Sequence, residues 1–573
     1  MAGTMFQETP SLLREQVRQN PGDFIAWVML ADAELDEGNL AAGQAAAERA
    51  LALRPGHPEA QARIGRSLWA SQRYGEAAVA LHAASAAAPQ HPGIALWLGH
   101  ALEDAGDAEG AADAYARAHG LMPDNPALAA HLLHWRRKLC DWRDLDALSL
   151  QTRRSVTRHE GAVEPFAFLS ESASPDEQLA CARTRAAMVA RQLQPMAPAT
   201  TIADTTLRLG MLSNGFGAHP TGALIVAFIE SLAAMPGVVV HLFATRADDG
   251  SAIRQRLART AVLHEVAGQA HDAVAQRIRQ SNIDVLYDLR GWGGGGTPEV
   301  LARRPAPVQV NWLAYPGTSG APWIDYVLAD RFVLPPSLAN YFSEQVAWLP
   351  RCFQPSDIQR EVRPPLAREH YGLPHEGAIL ACFNNSYKIN PASFQRMMRV
   401  LAGTPGSTLW LLSGPGLSDR RLRQAAQAQG VDPQRLVFTR KLPHDQYLSL
   451  YGHADLFLDT DPYNAHTTAS DALWAGCPVL TRPGSTFASR VAGSLNHHLG
   501  LTEMNVDSDD AFVRKAIALI RDPMELSRVR TALAHARGQR GLFDMVGFAR
   551  DFLGAARRMA ERAHQGLPPQ AFG

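Results

Sequence analysis

Two rhythms of apolar and polar positions divide this chain. Near the N-terminus, small and apolar residues recur at helical spacing and the pattern returns every 34 residues. Pro21, Pro55, Pro89 and Pro123 share one register, Ala31, Gly65 and Gly99 a second, and Ala50, Ala84 and Ala118 a third. Paired helices with small residues at their contacts produce such a period. From about Ala127 to Gln194 the helical rhythm continues without it, and Pro195–Thr201 reads as a linker. Short apolar runs then alternate with helical stretches. Strands are predicted at Leu207–Leu212, Val238–Phe243, Asp284–Leu289 and Val308–Leu313. A second series follows at Ile379–Phe383, Ser407–Leu412, Leu436–Phe438, Leu456–Leu458 and Val479–Leu480. Such alternation implies parallel sheets with helices on both faces and ligands at the carboxyl ends of the strands. Met545, Phe548 and Phe552 give the last helix one apolar face to lay on a domain.

The 34-residue period is that of tetratricopeptide repeats, which stack into a concave surface suited to peptide or protein. In the later part, the strand-end loops carry the candidate chemistry. Ser213–Gly222, Arg290–Gly296 and Tyr315–Gly320 are glycine-rich and share one sheet edge. In the second series, Asn390 caps a helix opened by Pro391. Lys388 lies just before it, where a lysine reaches a phosphate if His466–Thr468 is close. Around Thr467–Ala475 a short helix is predicted, with Thr468 and Asp471 at capping-box spacing. Its free N–H groups and positive dipole end suit an anion. Asp459-Thr460-Asp461 has the form of a metal-holding Asp-x-Asp motif, although strand-end geometry running into Pro462 accounts for it at least as well. There is no P-loop and no complete dinucleotide fingerprint. His497-His498 reads as structural, and Arg136, Arg137 and Lys138 as a solvated helix face.

Composition narrows the class. The chain has 573 residues, 46% hydrophobic and 19% charged, and a formal net charge of −1. That balance argues against nucleic-acid binding by bulk charge. Five scattered cysteines without a CxxC pair suit a reducing compartment and give no zinc signature. No signal sequence and no membrane-length apolar run is evident, so a cytoplasmic protein without a membrane partner is expected.

Repeats followed by NGFGAHPTG, PAPVQVNWLAYPGTSG, FNNSYKINP and NAHTTASDALWAGCPVLT closely resemble glycosyltransferase family 41, the O-linked N-acetylglucosamine transferases. The resemblance implies an α plus α/β protein, with tetratricopeptide repeats at 10–126, further helices and linker at 127–200, and Rossmann-like lobes of GT-B type at 201–370 and 371–540. A C-terminal helix is expected within 541–573. It implies inverting, metal-independent transfer of N-acetylglucosamine from UDP-GlcNAc to Ser or Thr of a protein acceptor, with no cofactor. The alternatives are a repeat scaffold with UDP-binding but weakly active lobes, or another UDP-sugar or acceptor. Carried over by motif, Lys388 neutralises the diphosphate, Thr467 and Thr468 hold the phosphates, and Asp471 binds the ribose. Asn385 touches the diphosphate beside Tyr387. His466 and the backbone at Gly317 face the sugar, and Leu442 and His444 lie beside the uracil and ribose. His219 matches a histidine that serves as catalytic base or shapes the site. Tyr447 and Asp284 stand where animal enzymes carry histidines, so one donor contact and a second base candidate depart from the pattern.

Overall fold

The computed structural model describes residues 9–160, 163–191, 193–198, 206–538 and 541–573. The chain forms two compact units. The first runs to Thr152 and includes Gly414–Ser418. The second holds the rest, from Arg153 onward. The boundaries expected at 200 and 540, and the end of the linker, fall on residues outside those described.

In the first unit, Phe24–Asp36 pairs with Leu40–Leu53, Pro58–Ala70 with Tyr74–Ala87, and Pro92–Asp104 with Ala108–Leu121. Pro126–Lys138 follows. Pro58, Pro92 and Pro126 each take the first helical turn, where a missing N–H costs nothing. The small residues of the repeat are steric necessities. A methyl on Gly65 would stand 2.5 Å from Leu81 Cγ, and one on Gly99 2.6 Å from the Tyr115 ring. One expectation fails. Arg136 is buried and pairs with Asp141 at 2.8 Å, while Lys138 lies 4.2 Å over the Trp135 ring. The basic run is therefore partly internal, because the turn after the helix brings a carboxylate back onto it.

The second unit contains two parallel sheets. The first comprises β1 (Leu207–Ser213), β2 (Val238–Ala244), β3 (Val262–Glu265), β4 (Val285–Asp288), β5 (Val308–Asn311), β6 (Tyr326–Asp330) and β7 (Gln345–Leu349), ordered 3-2-1-4-5-6-7. The second comprises β8 (Ile379–Cys382), β9 (Thr408–Leu412), β10 (Leu436–Thr439), β11 (Leu456–Leu458) and β12 (Val479–Leu480), ordered 10-9-8-11-12. Every strand pair is parallel. Each sheet reverses direction beside its first strand, between β1 and β4 and between β8 and β11. Such switch points open a crevice at the carboxyl edge. The C-terminal helix Met545–His564 packs on the first lobe. Phe552 meets Phe228, Tyr287 and Trp312 at ring-centroid distances of 4.8, 4.6 and 4.9 Å.

Candidate functional site

The second switch point builds an anion-ready corner. Beyond β8 the chain turns through Asn384–Lys388, and beyond β11 through Asp459–His466, so neighbouring parallel strands deliver both loops to one place. Lys388 is buried. Its Nζ donates to Asn464 O at 2.7 Å and sits 3.9 Å above the Tyr463 ring. Burial drives its pKa down, and the nearby Asp459 carboxylate partly restores it. The helix Thr467–Trp474 begins directly after His466. Ser470 is the first residue whose N–H reaches back to His466 O, at 3.0 Å, which leaves the first-turn N–H groups at Thr467 and Thr468 without an intrahelical acceptor. His466 is neutral, because burial and the charge of Lys388 hold its pKa well below the usual value. Its Nε2 donates to Ala488 O at 3.0 Å.

Asp459 and Asp461 form the floor. Asp459 accepts from the N–H groups of Thr460 and Ala465, from Thr481 Oγ1 at 2.6 Å and from Asn384 Nδ2 at 3.2 Å. Asp461 pairs with Arg396 and Arg482. Both carboxylates thus brace strand-end loops. The expected capping box at Thr468 and Asp471 does not form. The helix starts one residue earlier and has no side-chain cap, while Asp471 pairs with Arg360 and lies 3.4 Å from His444 Nε2. Tyr447 turns its hydroxyl to Tyr451 at 2.6 Å and stacks loosely on His444. Leu442 lines a cavity of about 540 Å³ with Tyr371, Phe438 and Arg440. Asn385 is exposed and hydrogen-bonds Tyr387, whose ring is 6.1 Å from that of Tyr463.

The first lobe faces this corner through Tyr463, which packs in one cluster with Trp292 and Tyr315. His219 caps the helix Pro220–Ala233. Its Nδ1 accepts from Thr221 N–H at 3.1 Å, so in the neutral ring the proton lies on Nε2. Burial and neighbouring cations lower its pKa to about 4. Gly317 is buried. Its N–H bonds Tyr315 O at 3.0 Å and its carbonyl accepts from Asn311 at 2.8 Å, so both polar groups are engaged inside the loop. Glu344 holds the adjoining turn through Thr318 Oγ1 and Ser319 N–H, both at 2.6 Å. Asp284 lies at the opposite edge of the sheet, where it accepts from Arg208 N–H at 2.7 Å. His498 stands 3.7 Å from the buried carboxylate of Asp330.

Four residues were not singled out in the sequence. Arg360 comes from the segment between the lobes, and its pairing with Asp471 spans 111 positions. Arg246 and Arg290, which follow β2 and β4, act electrostatically on His219 together with Lys441 after β10. Their signal was present all the same: a cation directly after a strand on the ligand edge.

The sequence profile of glycosyl transferase family 41 matches residues 154–364 and 354–552. The chain belongs to glycosyl transferase family 41. Tetratricopeptide-repeat profiles match residues 11–58, 28–92 and 62–126. A family 41 relative from Arabidopsis thaliana, named a probable UDP-N-acetylglucosamine-peptide N-acetylglucosaminyltransferase SEC, is 32% identical over 77% of this chain and 48% of its own length. The Caenorhabditis elegans UDP-N-acetylglucosamine-peptide N-acetylglucosaminyltransferase is 26% identical over 63% of this chain and 41% of its own. The family 41 chain therefore spans less than half the length of these relatives. A solved structure, a lysine-to-methionine variant of the Thermobaculum terrenum O-GlcNAc transferase, superposes with a TM-score of 0.68 at 26% identity, covering 95% of this chain and 98% of that one.

Proposed function

We propose that the chain transfers N-acetylglucosamine from UDP-GlcNAc to serine or threonine hydroxyls of protein acceptors, with inversion at the sugar. One observation carries the reading: the buried ammonium of Lys388 and the opening turn of Thr467–Trp474 converge at the β8–β11 switch point. Departure of UDP puts new negative charge on the diphosphate oxygens. A preorganised ammonium and free N–H groups meet that charge most strongly in the transition state, which lowers the barrier rather than only tightening the ground state. Asp471, held by Arg360, retains a second carboxylate oxygen for a ribose hydroxyl, with His444 beside it. Tyr447, Leu442, Asn385 and Tyr387 surround the same donor. No cofactor or metal enters this mechanism. The engagement of Asp459 and Asp461 by protein donors and arginines supports a diphosphate held by Lys388.

His219 acts in this reading as an N–H donor that positions the sugar. The Nδ1 bond from Thr221 leaves Nε2 carrying the proton, so that nitrogen is not free to accept one. The repeats guide acceptor proteins to the lobes. The cytoplasm suits the five cysteines, all buried thiols, and no described helix is long and apolar enough to cross a membrane.

The test is incubation with UDP-GlcNAc, UDP-glucose or UDP-galactose and a protein extract, followed by mass spectrometry of peptides and assay of released UDP. The reading expects N-acetylhexosamine on serine or threonine with UDP-GlcNAc. Transfer of hexose alone would change the sugar, and absence of both transfer and donor hydrolysis would overturn the reading.

A further inference from the structure

The chain between β7 and β8 ties the first lobe to the ribose corner of the second. Arg256, on the helix Ala252–Thr260, grips Glu230 through Nε and Nη2, both at 2.8 Å, and Asp357 at 2.8 and 3.2 Å. Gln359 Nε2 donates to Glu230 Oε2 at 2.9 Å, and the Asp357 N–H donates to Ala223 O at 3.2 Å. Glu230 and Ala223 belong to the helix Pro220–Ala233, which His219 caps. Arg360 then crosses to the second lobe. Its Nη1 donates to Asp471 Oδ1, its Nη2 to Ser356 Oγ at 2.6 Å and its Nε to Asp357 O at 2.8 Å. Trp474 Nε1 donates to Arg360 O at 3.0 Å, so the last turn of Asp471's own helix also holds this strap.

The two guanidiniums pair differently. Arg256 meets Glu230 in a two-point fork, which satisfies both carboxylate oxygens. Arg360 gives Asp471 a single N–H and spends its other nitrogens on the strap itself. Both side chains of that second pair are buried, 4% and 5% exposed. Among the described residues Asp471 Oδ2 meets only His444 Nε2, at 3.4 Å. A desolvated carboxylate oxygen short of donors is costly, so a pair serving stability alone would close the fork. This pair instead fixes the plane of the carboxylate and leaves one oxygen for a ligand hydroxyl. Glu230, Arg256, Asp357, Arg360 and Asp471 thus form one line of alternating charge from the helix of His219 to the donor corner, joined at Asp357 through its main-chain carbonyl.

We propose that Arg360 and Arg256 are positioning residues for ribose recognition: the strap 356–360 holds Asp471 in one orientation, and its anchor on the first lobe makes that recognition depend on Arg256. This rests on the reading of Asp471 as the ribose ligand and adds the groups that set its geometry.

The test compares, by calorimetry on the full chain, the affinities of UDP and of 2′,3′-dideoxy-UDP, which lacks the ribose hydroxyls. It uses wild type, Arg360→Lys, Arg256→Gln and the double variant, with Arg256→Lys in place of Arg256→Gln should the neutral variant not fold. Lysine keeps the charge at position 360 but cannot hold three directed contacts at once. Wild type is expected to favour UDP by about tenfold or more, and each single variant by only about threefold or less. Affinity for the dideoxy compound should stay unchanged. The double variant should lose no more than the worse single one, because both residues act through one carboxylate. A merely structural role would weaken both nucleotides alike, and that result would overturn the proposal. So would a wild-type preference kept in either single variant, or losses that simply add. A wild type that hydrolyses UDP-GlcNAc but binds the two nucleotides equally would overturn the ribose role of Asp471 and this proposal, leaving the transferase reading in place. A wild type that neither binds UDP nor hydrolyses UDP-GlcNAc would overturn that reading as well.

Discussion

At the scale of single residues, the account turns on protonation. His219 has its Nδ1 lone pair committed to Thr221 N–H, so in the proposed reading it donates from Nε2. His219→Gln keeps an N–H near that position and has no basic nitrogen. Its kcat for UDP-GlcNAc hydrolysis should stay within about tenfold of wild type, whereas loss of an obligatory base costs about 10²–10⁴. A loss of that larger size in a folded variant would restore His219 as the base. Lys388 makes the second prediction. Burial lowers its pKa, and a bound diphosphate must raise it, because the anion favours the ammonium. UDP affinity is therefore full below the free-protein pKa of Lys388 and falls as pH rises through it. That fall begins at lower pH than for an ordinary lysine. Calorimetric titration across that range should show the decline in wild type and its absence in Lys388→Met. A flat wild-type profile would remove Lys388 from the phosphate.

At the scale of elements, the sequence was most legible where local pattern decides structure. All five strands of the second sheet were anticipated, as were the Asn390 cap, the 34-residue repeat and the apolar face of the last helix. Three strands of the first sheet were missed. β3 is short and largely half-exposed at the sheet edge, so its apolar signal is weak, and β6 and β7 follow irregular loops instead of clear helical stretches. Asp471 shows the other limit. Its spacing from Thr468 fits a cap, but Arg360, far away in the chain, provides a stronger partner. The meeting of Lys388 with the loop before Thr467 was legible through sheet topology, since adjacent parallel strands bring the two loops together. Arg246, Arg290 and Lys441 were visible as letters, but their common action on His219 appears only in three dimensions. The last helix carries a prediction of its own. Phe552 is fully buried among Phe228, Tyr287 and Trp312. Phe552→Ala should cost about 3–5 kcal/mol and open the helix Met545–His564 to proteolysis. Unchanged denaturation and cleavage would show that this contact does not hold the helix to the first lobe.

At the scale of the whole molecule, a repeat unit and two switch-point sheets divide the work. In the proposed reading the second lobe holds the nucleotide sugar and the first presents His219, while the C-terminal helix returns to brace the first lobe. In this account turnover depends on a single ammonium at the β8–β11 crevice. Lys388→Met keeps much of the apolar stem over Tyr463 and deletes the charge, while Asp459 keeps its hydrogen bonds to Asn384, Thr460, Ala465 and Thr481. The most direct measurement is UDP-GlcNAc turnover by this variant, with its thermal unfolding recorded on the same sample. The account predicts a folded protein whose kcat falls by about 10²–10³ or more. Undiminished turnover in a folded Lys388→Met chain would contradict it.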